Sequence, residues 1–126
     1  MIVLDACVLI AHLQPGQPQA ARAREILDCD DDLSLHPLTL AECAVGPTKT
    51  GQSATFRHAV RRLGLDVWQP DPEHPYRVAA LRATTALKLP DCCVLDAARA
   101  QAASLATFDH ALAKTAAALG VPVIGP

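Results

Sequence analysis

The sequence predicts an α/β fold, and three observations predict it. Short apolar runs alternate with helix-period patterns along the whole chain. The runs are continuously apolar, the mark of strands covered on both faces, as in a parallel sheet. No repeat, low-complexity tract or linker interrupts the alternation, so residues 1–126 are expected to form a single domain. A chain of this length buries roughly two-thirds of the surface its unfolded form exposes, enough for one real core.

Ile2-Val3-Leu4 is the first buried strand. After a turn at Gln14-Pro15-Gly16, Ala20, Ala23 and Ile26-Leu27 recur at helical spacing. A second strand fits Leu33 to His36, and Pro37 then opens a helix in its first turn, where a missing N–H costs nothing. That helix turns Leu38, Ala41 and Val45 to one face and is expected to end near Gly46-Pro47. Phe56, Ala59, Val60 and Leu63 mark another helix, closed by Gly64. Leu65 to Gln69 is a third strand before the Pro70-Asp71-Pro72 turn. Ala79, Ala83, Ala86 and Leu87 indicate a helix expected to stop before Pro90, and a further helix starts at Asp91 and shows Leu95, Ala98 and Ala102. Ser104 to Phe108 is a fourth strand, Asp109 to Leu119 a last helix and Val121 to Ile124 a final strand.

Composition narrows the function classes. Aromatic residues make up 3% of the chain, too few for a base-stacking surface. The net charge of -2 gives no global attraction to nucleic acid, so any such binding needs a local basic patch. Two segments are locally basic: no acid separates Glu42 from Asp66, where Lys49, Arg57, Arg61 and Arg62 fall, or Glu73 from Asp91, where Arg77, Arg82 and Lys88 fall. No apolar run approaches a membrane span, no basic leader precedes Ile2, and a cytoplasmic protein without a membrane partner is expected. The five cysteines, Cys7, Cys29, Cys43, Cys92 and Cys93, are odd in number and form no C-x-x-C pair, which predicts small buried thiols.

The carboxylates carry the chemistry. Ligand sites in open α/β sheets lie beyond the carboxyl ends of the strands. Asp5 directly follows the first strand and Asp109 the fourth. Either is equally well explained alone as a helix cap. Glu42 lies mid-helix with apolar neighbours on both sides, a costly setting without a compensating cation. Asp91 opens an otherwise apolar helix. Close carboxylates would repel and take up protons, whereas a hard cation such as Mg2+ or Mn2+ wants that kind of oxygen cage.

Met1-Ile2-Val3-Leu4-Asp5-Ala6, Leu40-Ala41-Glu42, Leu89-Pro90-Asp91 and Thr107-Phe108-Asp109 resemble, in order and spacing, the PIN domain of VapC-type toxins. The resemblance implies a three-layer α/β/α fold with a central parallel sheet of about five strands. It implies a metal-dependent endoribonuclease toxin, with Asp5, Glu42, Asp91 and Asp109 around Mg2+ or Mn2+ and Thr107 supporting them. It further implies a VapB-like antitoxin partner, a homodimer and RNA as substrate, transfer RNA or another structured RNA among the candidates. Cys7 departs from the Ser, Thr or Asn common at that position, and a thiol is expected to support Asp5 less well. Asp96, rotated about 140° from Asp91 on a helix, is expected on the outer face, and Asp28, Asp30, Asp31 and Asp32 in a solvated loop. Charge placement nominates Arg57, Arg61, Arg62, Arg82 and Lys88 to hold RNA.

Rival classes fare less well. A phosphoacceptor receiver domain wants paired acids near the first strand and a Lys after a late one, but Lys114 falls within the last helix. A haloacid-dehalogenase-like phosphatase wants a second Asp where Cys7 stands. The alternative from another class is a non-catalytic PIN-like module that binds RNA or protein, although a scaffold has no need to cluster acids.

Overall fold

A computed structural model describes all residues, 1–126. Five parallel strands form one sheet: β1 (Ile2–Leu4), β2 (Leu33–Leu35), β3 (Asp66–Val67), β4 (Ser104–Ala106) and β5 (Val123–Ile124), in the order β3-β2-β1-β4-β5. Seven helices cover it: α1 (Ala6–Leu13), α2 (Ala20–Leu27), α3 (Pro37–Lys49), α4 (Ser53–Arg62), α5 (His74–Thr84), α6 (Leu89–Ala100) and α7 (His110–Ala118). No helix is long and apolar enough to cross a membrane.

The two-residue period of β1 divides the core. Ile2 and Leu4 pack with α1, α2, Cys43 of α3 and Phe56 of α4 on one face, while Val3 packs with α5, α6 and α7 on the other. Neighbouring Ala106 and Leu105 of β4 divide in the same way. Strands buried on both faces explain why the sequence shows continuous apolar runs.

The expected elements form, with four corrections. Helix α1 was not foreseen, because Ala-Cys-Val-Leu-Ile-Ala is apolar all round and shows no helical period; Val8, Leu9 and Ala11 are buried. Helix α3 runs through Gly46-Pro47 to Lys49, with Thr48 Oγ1 bonding the Ala44 carbonyl at 2.7 Å. Helix α5 begins at His74 and ends at Thr84, so Pro90 does not stop it but sits in the first turn of α6. The second to fifth strands are shorter than expected, β2 ending at Leu35 with His36 as the cap of α3, and β4 ending at Ala106.

Helix ends follow the residues present. Gly64, at φ +66°, closes α4 as its position suggested. Ala102 takes the same role after α6 at φ 51°, donating to the Arg99 carbonyl while Ala103 donates to Ala98. An alanine there bears a steric cost that a glycine would not.

Candidate metal-binding active site

The site is built at the centre of the sheet. Strand β1 lies between β2 and β4, so the chain connections leave it in opposite directions and open a crevice at the carboxyl ends. Asp5 leaves β1 there, and Thr107, Phe108 and Asp109 leave β4 beside it.

Asp5 is buried and held from three directions. Its Oδ1 accepts from the Ala6 N–H at 2.8 Å, and its Oδ2 accepts from Thr107 Oγ1 at 2.7 Å and from the Cys7 thiol at 3.3 Å. Thr107, fully buried, also accepts from the Asp109 N–H at 3.0 Å, tying two acids to one hydroxyl. Cys7 Sγ accepts from the Phe108 N–H at 3.3 Å, so the thiol braces β1 against β4. Burial, followed by the charge of Asp5, pushes the Cys7 thiol up to about 11, and it stays protonated at neutral pH.

Asp5 and Asp109 are also the N-caps of α1 and α7, Asp109 Oδ1 accepting from the Leu112 N–H at 2.9 Å. The capping and the site-building readings are therefore both met by the same side chains. Glu42 lies on α3, exposed rather than enclosed by its apolar neighbours, and Asp91, half-buried, lies in the first turn of α6. Partial desolvation raises the Glu42 carboxyl, and the charges of Asp5 and Asp91 raise it further. Asp91 is raised by desolvation, then by Asp5 and Asp109, with Lys88 opposing. Asp5 and Asp91 thus lie close enough to Glu42, and Asp5 and Asp109 close enough to Asp91, to act on their charges, and none of the four forms an ion pair with a cationic side chain. An all-oxygen donor set with an excess of negative charge fits a hard divalent cation.

The nominated cations divide. Lys88 precedes α6 and lies close enough to Asp91 to act on its charge. Arg57 and Arg61 are exposed on α4 and rim a groove floored by Leu40, Ala44, Phe56 and Val60. Arg62 ends α4 and Arg82 lies on α5, both exposed. Arg77 is engaged by Asp71 and Asp96.

Four further side chains differ from expectation or escaped it. Asp96 is not on an outer face: it is 2% exposed, and it bonds His74 and Arg77. Cys29 is exposed, unlike buried Cys43 and Cys92. His36 and His74, both buried, escaped attention in the sequence, although a histidine between a strand and Pro37 and another opening a helix were visible. Asp28, Asp30, Asp31 and Asp32 are exposed as expected, Asp31 pairing with the N-terminal amine.

Residues 2–118 match the family model of the PIN domain, and the chain belongs to that family. No curated protein matches the sequence. Among solved structures, it is similar to a chain of a toxin–antitoxin complex from Klebsiella pneumoniae, with 26% identity over 98% of this chain and 96% of that one, at a TM-score of 0.77. It shares the fold of a chain of VapBC2 from Rickettsia felis bound to a promoter DNA fragment, at 15% identity, 100% and 99% coverage and a TM-score of 0.75. It also shares the fold of a sarcin–ricin-loop-cleaving VapC toxin from Mycobacterium tuberculosis, at 10% identity, 91% and 95% coverage and a TM-score of 0.77.

Proposed function

We propose that this chain is a metal-dependent endoribonuclease of the VapC toxin type, held in check by a cognate antitoxin. The observation that supports the reading is the charge coupling that links Glu42 and Asp91 with Asp5 and Asp109 at the carboxyl ends of β1 and β4, with Lys88 near Asp91 and none of the four acids in an ion pair. Membership of the PIN family and the likeness to a toxin–antitoxin complex support it.

Asp5, Asp91 and Asp109 would hold Mg2+ or Mn2+, with Glu42 binding directly or through water. A bound divalent ion supplies a water of lowered pKa and offsets charge on the attacked phosphate. The residues do the rest. Thr107 and Cys7 fix Asp5 Oδ2, and the Leu112 N–H fixes Asp109 Oδ1, so both carboxylates are pre-oriented. Glu42, raised from its ordinary value by desolvation and then by Asp5 and Asp91, would take a proton from the attacking water at its carboxylate. Lys88 stands beside Asp91, and Arg57, Arg61, Arg62 and Arg82 offer phosphate contacts further out. The groove between α3 and α4 pairs apolar floor with cationic rim, which suits an acidic, amphipathic antitoxin segment. A homodimer in the cytoplasm completes the reading.

The test is purified protein with Mg2+ or Mn2+ and a transfer-RNA pool. Cleavage that needs metal and is lost in Asp5→Ala is expected. Cleavage surviving EDTA, or undiminished in Asp5→Ala, would sink the mechanism. Co-purification with the product of a neighbouring reading frame tests the partner.

A further inference from the structure

Beside the acidic site, towards β3, the fold buries a second polar cluster that the proposed reaction does not use. His36 follows β2 and caps α3, His74 opens α5, and Asp96 lies midway along α6; each is less than a tenth exposed. His36 Nε2 is 2.9 Å from His74 Nε2, and His74 Nδ1 is 2.6 Å from Asp96 Oδ2. Arg77 grips Asp96 through Nε at 2.9 Å and Nη2 at 3.0 Å, and Asp71 at 2.9 and 2.7 Å. In a core where Thr39 Oγ1 is the one buried side-chain polar atom without a partner, every ring nitrogen of this pair is bonded.

The proton positions follow from the two ends of the chain. At one end the backbone N–H of Leu38 can only donate, and it donates to His36 Nδ1 at 2.9 Å. His36 therefore carries its proton on Nε2 and donates it to His74 Nε2. At the other end Asp96, bound to the Arg77 guanidinium, can only accept. His74 therefore carries its proton on Nδ1. Both ends demand the same arrangement, and it holds two neutral rings. An added proton would set two N–H groups against each other at 2.9 Å or oppose the Leu38 N–H.

We propose that His36, His74 and Asp96 are positioning residues: their one-way hydrogen-bond chain locks α3 to α5 and α6, sets Glu42 relative to Asp91, and breaks when the histidine pair takes up a proton. The coupling to Glu42 and Asp91 rests on the reading of the acidic cluster as the metal site. The mechanical path is short, since His36 and Glu42 share α3 and Asp96 and Asp91 share α6. Asp96 and Arg77 face the pair, Asp71 stands behind Arg77, and the Cys93 thiol of α6 lies within 4.8 Å of both rings. Burial, then the neighbouring His74, holds His36 down at about 4 against the opposing pull of Asp96, so the chain is intact at neutral pH. Two imidazoles and a thiol also suit zinc. A neutral His36 binding metal through Nε2 would turn an Nδ1–H against the Leu38 N–H, which the cap forbids.

The experiment uses the whole chain. Long-range 15N–1H spectra without added metal should show His36 protonated on Nε2 and His74 on Nδ1 at pH 7. Trp68, the single tryptophan, has its ring centroid 6.0 Å from that of His36 and 5.0 Å from that of His74, so its emission should fall when the pair takes up a proton below neutral pH. His36→Asn keeps a capping oxygen but is too short to reach His74. It should stay folded and bind Mn2+ by calorimetry roughly tenfold more weakly at pH 7. His36 protonated on Nδ1, unchanged Mn2+ affinity in His36→Asn, or stoichiometric Zn2+ uptake abolished by Cys93→Ser would each overturn the proposal. A wild-type chain that binds no Mn2+ overturns the coupling together with the metal site. The tautomers, read without metal or RNA, distinguish that failure from a failure of the chain itself.

Discussion

Thr107 Oγ1 stands 2.7 Å from Asp5 Oδ2 across 102 residues of sequence, and it joins the ends of two adjacent strands through a hydroxyl with no exposure to solvent. The same oxygen accepts from the Asp109 N–H, so one side chain sets the spacing of two acids.

Replacing Thr107 with Val keeps the shape and removes that hydroxyl. Asp5 Oδ2 would then keep only the weak Cys7 thiol donor, at a cost of about 1–3 kcal/mol. Denaturant melts should show that loss, and Mn2+ affinity should fall with it. Thr107→Ser should restore most of both. Equal behaviour of the Val and Ser variants would deny the hydroxyl its role.

Asp91→Asn should act in opposite directions on stability and on metal binding. The Asp91 carboxyl is raised by desolvation and by neighbouring acids, so its charge is unfavourable in the metal-free fold. The neutral variant should melt about 2–4 °C higher without metal. It should also lose the further rise that Mn2+ gives the wild type. Scanning calorimetry with and without Mn2+ checks both signs.

The thiols should differ sharply in reactivity. Cys7, held at about 11, has roughly a thousandth of its population as thiolate at pH 8, whereas Cys29 is exposed. Iodoacetamide should label Cys29 first and leave Cys7 untouched in the folded chain, as read by peptide mass spectrometry. Early labelling of Cys7 would contradict its raised pKa and its hydrogen bonds to Asp5 and Phe108.

Arg57 and Arg61 lie four apart on α4 and share a face. Reversing both to Glu should weaken RNA binding across sequences and flatten its salt dependence, because fewer counterions are released. Stability should change by under about 0.5 kcal/mol, since both are exposed. An unchanged salt slope would move the substrate path elsewhere.

Ala102→Gly should stabilise the chain by about 1 kcal/mol, because φ 51° is costly for any residue with a Cβ. The measurement is a shift in the urea midpoint at constant slope.

Asp5, Asp91 and Asp109 were legible as candidates because each adjoins the end of an apolar element, whereas Glu42, nominated as an acid inside an apolar helix, is exposed on α3. Asp96 carried the same signal as Glu42, lying between Leu95 and Ala97. Its rotation from Asp91 showed only that the two do not share a site. Its actual partner, His74, is 22 residues away and reached by the packing of α5 on α6, which periodicity does not encode. Helix α1 was hidden for a similar reason: a helix apolar all round leaves no stripe to read. Pro90 misled because a proline reads equally as the stop of one helix and the first turn of the next.

Asp109 divides its work between its two oxygens: Oδ1 caps α7, and Oδ2 has no protein donor. Asparagine can retain the first and present an amide in place of the second, and it caps helices as well as aspartate does. In the genetic code the two amino acids differ by a single G-to-A transition. If the chain is the toxin proposed above, expressing it without an antitoxin makes that transition a one-step escape that keeps the α7 cap. Surviving clones should therefore carry full-length protein with Asn at this codon more often than chance allows, alongside the truncations that any toxic gene accumulates.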